Sequence, residues 1–560
     1  MSFQYLVAVS VFSFSLFSQA AQKANTGFLT WIPDGKRLRE LPTECSTNRL
    51  EKIIRMAPSS FERSAAVTRY FTDCERFLTL MGESGITSML QLFSTEYEYQ
   101  NNPFISKISI RLKNNTVVHG VLGLKPDYTP RPLIVMQSGL TTGTNGSSSM
   151  RWPLMHLFDE SPFHILVLGS STSAEFGLSN QTLYAGGHQE GQYVYEVARW
   201  LKYYNEDLRG RISSIHLVGD SLGGHASLFA TLYNDINPHA DNRVFSSAMG
   251  LCPVVDLEPA INNIMKDTLA GKFLQEKIWW ELKEMLGQVP IIDRLIPEGR
   301  KPSTSRMKEI VAEASLDHYG RHPLKWLAEI IRIIIPKSLD EYWRYNNFVD
   351  LAAQITTPLA IWAAHDDPAI DSRDNSLKLL DVANREGSQI QILHTATGSH
   401  CGFGLSHGWD VFTTFLRSEI LANSPEFLDA YSEHKTPLEN VQTDPVTVSE
   451  DKKFFSVKFQ AESKSSFLRL THQIFNPQLK NCKFVDPFMA EDDSCFELVS
   501  TRINLERLGI SILKVPRSNV EAQALTRWAN ANLRLTDVEG NSIVYSQRKP
   551  AFVTWQEVTP

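Results

Sequence analysis

The spacing of hydrophobic residues divides the chain into segments with different periods. In STNRLEKIIRMA and SSFERSAAVTRYFTDCERFLTLMG, apolar side chains recur every three or four positions, which predicts amphipathic helices with Ser or Thr as N-caps. From Phe104 the period changes to two, in ISKISIRL and VVHGVLGLK. Asn114 and Asn115 lie between these two runs, so a β-hairpin is predicted there.

Short, continuous apolar runs follow in the middle of the chain. PLIVMQSG, HILVLGSST, ISSIHLVGD and VFSSAMGLC begin at Pro132, His164, Ile212 and Val244, and helical or loop segments separate them. PLAIWAAHDD and SQIQILHTATG repeat the pattern further along. Strands without alternation are typical of sheets buried on both faces, so the sequence predicts an α/β fold with a doubly wound, mostly parallel sheet.

Two other regions depart from this alternation. Residues 256–345 contain amphipathic helices such as FLQEKIWWELKEMLG, which predicts a helical cap inserted into the α/β domain. After a polar linker, short alternating strands from Phe454 onward predict a C-terminal all-β, sandwich-like domain over residues 450–560. The predicted organisation is therefore an N-terminal helical segment (21–103), an α/β domain with its cap (104–435) and a β domain.

The amino terminus predicts export. Leu6 to Phe17 is apolar, and the small residues Ser18 and Ala20 follow at the positions that a signal peptidase inspects. Residues 1–20 are therefore interpreted as a secretory signal peptide, with a buried first helix as the alternative. The run is too short to cross a bilayer, and no later stretch is long and apolar enough. We expect a secreted or periplasmic protein.

The cysteines agree with an oxidising compartment. Six remain after the predicted cleavage, an even number that permits disulfides. Cys45 with Cys74 and Cys482 with Cys495 are the economical pairings, because each pair lies within one local segment. No cysteine pair has the spacing of a zinc site, and neither a metal nor another cofactor is expected. The sequence carries 55 basic and 62 acidic residues without a basic stripe, which argues against nucleic-acid binding.

The stretch HLVGDSLGGHAS contains the motif Gly-x-Ser-x-Gly around Ser221. The motif alone is a weak signal, but here a strand is predicted before it and a helix after it, which is the context of a nucleophile elbow. A serine hydroxyl needs a histidine base and a carboxylate that orients the base. Asp366 and Asp367 follow the strand PLAIWAA, and His400 follows the strand QIQIL. The order Ser, Asp, His is that of α/β-hydrolases, so a catalytic triad is predicted.

Other residues near these turns are weaker candidates. Asp366 is the second candidate for the acid, and His225, one turn into the elbow helix, is interpreted as packed. Cys401, next to the proposed base, lacks a strand-turn-helix context of its own, so it is interpreted as a small buried residue rather than a nucleophile. The remaining candidate bases, which lack a comparable glycine-bearing turn after a strand, are His365, His394 and His407.

The region from Ile105 to Leu421 resembles α/β-hydrolases, and especially the YheT/abhydrolase-1/3 family. The similarity lies in LVGDSLGGHAS at the elbow, in LDEYWRYNNF and ITTPLAIWAAHDDPAI before and through the acid turn, in GSHCGFG around the histidine, and in LYAGGHQEGQYVYEVARWL. The resemblance implies that Ser221 is the nucleophile and His400 the base. It implies Asp367 as the acid, because the family's acid directly precedes the proline.

The resemblance also implies an oxyanion hole. This chain reads Ser138-Gly139-Leu140 where the family usually has His-Gly, yet the backbone N–H of Leu140 can still donate, together with that of Leu222. The function implied is an exported serine hydrolase that cleaves small-molecule carboxylic esters through an acyl-enzyme. The alternatives are a peptidase or acyltransferase with the same triad, and a non-catalytic binding protein on a hydrolase scaffold. The C-terminal domain is a candidate for binding a surface or partner.

Overall fold

A computed structural model describes the greater part of the chain. The described residues are 41–79, 99, 104–125, 130–144, 148–159, 161–237, 243–323 and 335–427, together with one short strand before them and ten strands after them. The predicted signal peptide and the Cys482–Cys495 pairing lie outside the described residues, and the predicted domain boundaries stay predictions.

An eight-stranded sheet forms the centre of the molecule. Its strands are β1 (Ile105–Arg111), β2 (Val117–Gly123), β3 (Arg131–Gln137), β4 (His164–Leu168), β5 (Ile212–Asp220), β6 (Phe245–Leu251), β7 (Leu359–Ala364) and β8 (Ile390–Thr395). They lie in the order β1-β2-β4-β3-β5-β6-β7-β8, and only β2 runs antiparallel to its two neighbours. The predicted doubly wound, mostly parallel sheet is confirmed.

The strand sequences account for this placement. Every residue of β3, β4 and β7 is buried, as expected for continuous apolar runs. Because side chains alternate along a strand, Leu133 and Val135 join one hydrophobic cluster while Ile134 and Met136 join a second cluster. The sheet therefore separates two cores.

The predicted hairpin joins β1 to β2, and Asn115 has a φ of 66°, which asparagine tolerates in a turn.

Helices connect the strands and cover the sheet. Those outside the β6–β7 connection are Thr47–Met56, Ser60–Leu78, Ser148–Pro153, Ala174–Asn180, Gly187–Arg199, Glu206–Arg209, Ser221–Ile236, Leu380–Ala383, Phe403–His407 and Trp409–Ala422. Short 3-10 and π turns lie at Thr43–Cys45, Leu154–Asp159, Trp200–Tyr204, Val349–Gln354, Ser372–Asp374 and Ser376–Leu379. The serine N-caps predicted for the first two helices are observed: the Arg49 N–H donates to the Ser46 hydroxyl and the Glu62 N–H to that of Ser59.

The β6–β7 connection is helical, as the pattern predicts. It contains Leu257–Ile264, Leu269–Met285, Pro290–Leu295, Thr304–Arg321 and Leu339–Tyr345. Apolar residues of these helices, including Leu257, Leu274 and Met307, belong to one of the two clusters beside the sheet. Below we call these five helices the cap. None of the described helices has the length and hydropathy that crossing a bilayer requires.

The terminal β segments form antiparallel pairs. Seven strands make one sheet: Trp31–Pro33, Phe467–Phe475, Phe496–Asn504, Leu525–Arg527, Asn532–Asp537, Ser542–Ser546 and Phe552–Thr554. Four make another: Glu439–Thr443, Thr447–Val448, Phe454–Glu462 and Ile510–Pro516. The segment 21–103 is thus not wholly helical, because Trp31–Pro33 pairs with Phe496–Asn504.

Two disulfides are present among the described residues. Cys45–Cys74 confirms the predicted local pairing and joins the 3-10 turn to the helix Ser60–Leu78. The second, Cys252–Cys401, spans 149 residues. Cys401, which we predicted as a small buried residue, is only partly buried and is bonded to Cys252. The sequence pattern did not indicate this pairing, because the two cysteines come together only when the ends of β6 and β8 lie in one sheet.

Candidate active site

Ser221 lies in a tight turn between β5 and the helix Ser221–Ile236 (the elbow helix). Its φ is 54°, in the left-handed region that a serine rarely adopts. Glycines allow this turn: a Cβ on Gly219 would overlap the carbonyl oxygen of Gly223, and one on Gly223 would overlap that of Gln137. A Cβ on Gly139 would lie 3.0 Å from the Ser221 Cβ. The predicted strand-turn-helix is therefore observed, with close packing on both sides of the serine.

The three side chains singled out from the sequence come together at the carboxyl ends of β5, β7 and β8. His400 Nε2 lies 2.8 Å from Ser221 Oγ. On the other side of the ring, His400 Nδ1 lies 3.0 Å from Asp367 Oδ2 and 3.1 Å from Oδ1. These distances give a continuous hydrogen-bonded chain from carboxylate to imidazole to hydroxyl.

The two neighbouring aspartates have different partners. Asp367 Oδ1 also accepts the backbone N–H groups of Ala369 and Ile370, at 2.8 and 2.9 Å, which fixes its carboxylate in the turn. Asp366 instead accepts the backbone N–H of Ser399 at 2.7 Å. Asp366 therefore connects the loop after β7 to the histidine loop, whereas Asp367 contacts the imidazole itself.

His400 lies on a constrained loop. Its neighbours Ser399 and Cys401 have φ values of 53° and 60°, and Cys401 is joined to Cys252 at the end of β6. Burial disfavours the imidazolium of His400, but the charge of Asp367 and its hydrogen bond favour it, so the pKa of His400 is raised overall. A carboxylate that stabilises the imidazolium suits a base that takes a proton from a hydroxyl.

Leu140 and Leu222, the predicted oxyanion donors, line the same pocket as Ser221 and His400. Leu222 is the second residue of the elbow helix, where a backbone N–H has no acceptor within the helix. Next to Leu140, Thr141 has a φ of 62° and its N–H donates to the Thr172 hydroxyl at 2.8 Å. The loop after β3 is thereby held in place beside the serine.

The pocket at Ser221 has a volume of about 60 Å³. Its wall opposite the sheet comes from the segment after β6 and from the cap. The apolar residues contributed there are Val254, Leu257, Ala260, Ile261, Ile264 and Leu274. Lys277, from the cap helix Leu269–Met285, also lines the pocket. The pocket is thus lined on the cap side by apolar side chains and by one lysine.

The sequence reasoning did not single out Asp220, the residue before the serine. Its side chain is buried, and burial raises its pKa to about 7, although the N–H of Gly139 and the charge of His400 oppose this shift. Lys277 was missed as well, since nothing in an amphipathic helix marks which lysine faces a pocket. The sequence did carry a signal for Asp220, because it is part of the Gly-x-Ser-x-Gly motif.

The alternative histidines have other surroundings in the described structure. His225 Nδ1 lies 2.9 Å from the backbone N of Gly187, which agrees with the packed role predicted for it. His407 is buried against the rings of Phe71 and Trp362. His365 and His394 contact each other edge to face, with ring centroids 6.1 Å apart.

One cluster near the site has the spacing of metal ligands. The side-chain ligand atoms of Cys252, His400 and Cys401 lie within 4.8 Å of one another. The two sulfur atoms are joined in a disulfide, and both nitrogens of His400 are within hydrogen-bond distance of Ser221 or Asp367. A thiolate is the form that binds a metal, so the oxidised pair does not suit this role.

Comparison with known proteins adds partial structural likenesses. No protein-family model matches the sequence, and no curated protein is similar to it in sequence. The matched structures include a Pyrococcus horikoshii acylaminoacyl peptidase (14% identity, 60% of this chain and 44% of that chain, TM-score 0.32). A Pyrococcus furiosus esterase, Pf2001, matches at 11% identity (58% and 95%, TM-score 0.34), and the α/β hydrolase GrgF from a Penicillium species at 15% (57% and 99%, TM-score 0.34).

The chain spans less than half the length of the acylaminoacyl peptidase. Identities and TM-scores this low carry no inference about activity, and the finer resemblance to the YheT family stays a prediction. Three features of the structure itself identify the fold. They are the strand order, the single antiparallel strand β2 and the sharp turn at Ser221 between β5 and the elbow helix. With these features, the described region between β1 and the helix Trp409–Ala422 has the α/β-hydrolase fold.

Proposed function

We propose that this protein is a serine hydrolase in which Ser221 is the nucleophile. His400 accepts the proton of the Ser221 hydroxyl as the oxygen attacks the substrate carbonyl, and Asp367 holds the imidazole in the required tautomer. The backbone N–H groups of Leu140 and Leu222 stabilise the oxyanion. His400 then protonates the leaving group, and water activated by the same histidine releases the acyl group from Ser221.

One observation carries the proposal. Ser221 Oγ, both nitrogens of His400 and the carboxylate of Asp367 form a hydrogen-bonded chain, with distances of 2.8, 3.0 and 3.1 Å. A structural serine requires neither a strained φ nor a buried imidazole aligned by a carboxylate. The chance that an unrelated scaffold retains all three groups in this arrangement is small, which argues against a purely non-catalytic role.

Carboxylic esters are the substrates that we propose. The pocket beside Ser221 is lined by apolar side chains on its cap side, which suits the acyl group of an ester. A peptidase or an acyltransferase would use the same three groups with a different leaving group or acceptor. Release of acid, transfer to an added alcohol and cleavage of a matched amide therefore have to be measured side by side.

We also propose that the protein acts outside the cytoplasm. The disulfides Cys45–Cys74 and Cys252–Cys401 support this location, because such bonds persist in oxidising compartments. The predicted cleavage after residue 20 supports it as well. The amino-terminal sequence of the mature protein would test it, since a protein that retains Met1 contradicts the proposal.

Labelling with a fluorophosphonate probe tests the triad. We expect the wild type to be labelled and the Ser221→Ala and His400→Ala variants to lose the label, because only a serine activated by a base reacts at a useful rate. Ser305→Ala, which removes an exposed hydroxyl in a cap helix, is the matched control and should be labelled normally. A folded wild type without label would favour the binding-protein alternative.

A further inference from the structure

The loop after β3, residues 138–144, carries Leu140 and is called the oxyanion loop below. The N–H of Leu140 is one of the two proposed oxyanion donors, and within the described part of the chain no group accepts it. The next N–H along the chain, that of Thr141, donates to the Thr172 hydroxyl at 2.8 Å. The peptide group beside the proposed donor is therefore held by a side chain from another loop.

This attachment stabilises an unfavourable backbone conformation. Thr141 has a φ of 62°, in the left-handed region, where a β-branched residue is strained. Such a conformation persists only where the surrounding contacts maintain it. The Thr172 hydroxyl supplies a contact at the strained residue itself, so its removal should let the neighbouring peptide group of Leu140 move.

Further contacts join the oxyanion loop to the segment after β4. The N–H of Ser170 donates to the carbonyl of Thr142 at 2.8 Å. Glu175, in the helix that follows, accepts the N–H of Thr144 at 2.7 Å and the hydroxyl of the same residue at 2.5 Å. The oxyanion loop is thus held at three points after its proposed donor.

The segment after β4 is itself fixed, so it can serve as a support. Glu190 Oε1 accepts the backbone N–H and the hydroxyl of Ser171, at 2.8 and 2.9 Å. The same oxygen accepts Gln137 Nε2, at the end of β3, at 3.0 Å. The hydroxyl oxygens of Ser170 and Thr172 lie 2.8 Å apart. All five side chains are buried, which limits the movement of the Thr172 hydroxyl.

The position of an oxyanion donor matters more in the transition state than in the bound ester. Negative charge develops on the carbonyl oxygen only as Ser221 attacks, and donors stabilise it at about 2.7–3.1 Å from that oxygen. A displacement of about 1 Å can cost roughly 100-fold in rate. A residue that holds the donor should therefore affect kcat strongly and KM weakly.

We propose that Thr172 is a positioning residue of the oxyanion hole. Its hydroxyl holds the backbone of the oxyanion loop so that the N–H of Leu140 faces the reacting carbonyl oxygen. This inference rests on the proposed function and adds a residue that supports it. Thr172 is not among the described residues that line the pocket at Ser221, so it acts through the backbone of Thr141 and not by contact with the substrate.

Thr172→Val tests the inference, because it keeps the branched shape of the side chain and removes the acceptor. We expect kcat for p-nitrophenyl acetate to fall by about 10- to 100-fold while KM changes less than about threefold. Thr172→Ser retains a hydroxyl and should restore most of the rate. Wild-type kcat in a folded Thr172→Val variant overturns the inference.

Inhibition by trifluoroacetone gives a readout that a purely structural role would not change. Ser221 Oγ bonds to the ketone carbon, His400 takes the hydroxyl proton and the carbonyl oxygen becomes an oxyanion. We expect the inhibition constant of Thr172→Val to rise by the same factor by which kcat/KM falls. A variant that is only partly folded would lose kcat with an unchanged inhibition constant, and that result would contradict the inference.

Thr413→Val is the matched control. Thr413 is a buried threonine in the helix Trp409–Ala422, and its hydroxyl donates to the carbonyl of Trp409 at 2.6 Å. The same substitution there should leave kcat and the inhibition constant close to those of the wild type. Should Thr172→Val fail to fold, Thr172→Ala, which also lacks the acceptor but adds no methyl group in its place, gives the same decision.

The outcomes separate this inference from the proposed function. If the folded wild type is not labelled by fluorophosphonate and hydrolyses no ester, the proposed function fails. If the wild type is labelled at Ser221 and hydrolyses the ester, but Thr172→Val retains the wild-type kcat and inhibition constant, only the inference fails.

Discussion

Asp366 and Asp367 are adjacent in sequence, yet the structure gives them separate tasks. Asp367 contacts the imidazole of His400 and accepts two backbone N–H groups of its own turn. Asp366 accepts the N–H of Ser399 instead. At the scale of single residues, the site thus depends on which of two identical side chains points at the histidine.

Conversion of each aspartate to asparagine should separate these tasks. We expect Asp367→Asn to lower kcat by roughly 10³- to 10⁴-fold, because an amide stabilises the wrong tautomer of His400 and carries no charge for the imidazolium. Asp366→Asn keeps an oxygen acceptor for Ser399 and should cost about tenfold or less. Steady-state kinetics on a neutral ester checks both variants. A larger loss in Asp366→Asn would reassign the acid.

Gly139 allows the loop after β3 to approach the nucleophile. Alanine at this position would place a Cβ 3.0 Å from the Ser221 Cβ, so we expect the serine and the Leu140 N–H to move and kcat to fall by about 100-fold or more. Gly210→Ala is the control: it adds a methyl group where no heavy atom lies within 4 Å, at a φ of −76°. Similar activities of the two variants would contradict the tight packing of Gly139 against Ser221.

At the scale of elements, the site is assembled from the segments that follow five strands of one sheet, β3, β5, β6, β7 and β8. The Cys252–Cys401 disulfide joins two of these loops, after β6 and after β8, and Cys401 directly follows His400. The Cys45–Cys74 disulfide joins elements of the amino-terminal helical segment instead. The two bonds therefore allow stability and catalysis to be tested separately.

We expect the Cys252→Ser, Cys401→Ser double variant to lose both stability and activity. The free energy of unfolding should fall by about 2–4 kcal/mol, and kcat should fall because the histidine loop loses its covalent attachment to β6. Cys45→Ser with Cys74→Ser should lower stability by a similar amount with little change in kcat. Chemical denaturation and ester hydrolysis measure the two effects. Equal kcat values for both double variants would show that the loop needs no such link.

At the scale of the whole molecule, several titratable groups are buried by the folding of the α/β domain. Burial raises the pKa of Glu190 to about 8, although hydrogen bonds from Ser171 oppose the shift. Its Oε1 accepts Gln137 Nε2 at 3.0 Å and the backbone N–H of Ser171 at 2.8 Å. Glu190 thereby connects the helix Gly187–Arg199 to the ends of β3 and β4 in its protonated form.

Glu190 should make the protein less stable as the pH rises. Between 4.5, the ordinary pKa of a glutamate, and the folded value of about 8, the folded state binds more protons at this group than the unfolded state. Its contribution to stability is therefore complete below 4.5 and is lost as the pH rises through 8. One such proton changes the free energy of unfolding by about 1.4 kcal/mol per pH unit.

Glu190→Gln retains the Oε1 acceptor without the ionisation. We expect the variant to gain stability relative to the wild type as the pH is raised from 5 to 8, whereas Glu206→Gln, at an exposed carboxylate, should follow the wild type. Thermal unfolding across this range checks both. Parallel curves for Glu190→Gln and the wild type would show that Glu190 is not buried in the folded protein.

The amino-acid sequence alone predicts the elements and the order of the chemical groups. Continuous apolar runs such as PLIVM predict strands buried on both faces, and glycines around Ser221 predict a sharp turn, because both depend on residues close in sequence. The positions of Ser221, Asp367 and His400 after their strands follow from the same local patterns. These local signals therefore suffice to predict the α/β-hydrolase fold.

Contacts between residues far apart in sequence could be identified only from the tertiary structure. The choice of partners for Asp366 and Asp367, the pairing of Cys252 with Cys401 and the presence of Lys277 in the pocket all require the sheet order and the cap to be in place. Hydrophobic periodicity specifies which face of an element is buried. It does not specify which other element covers that face, because that choice is made by packing among many segments at once.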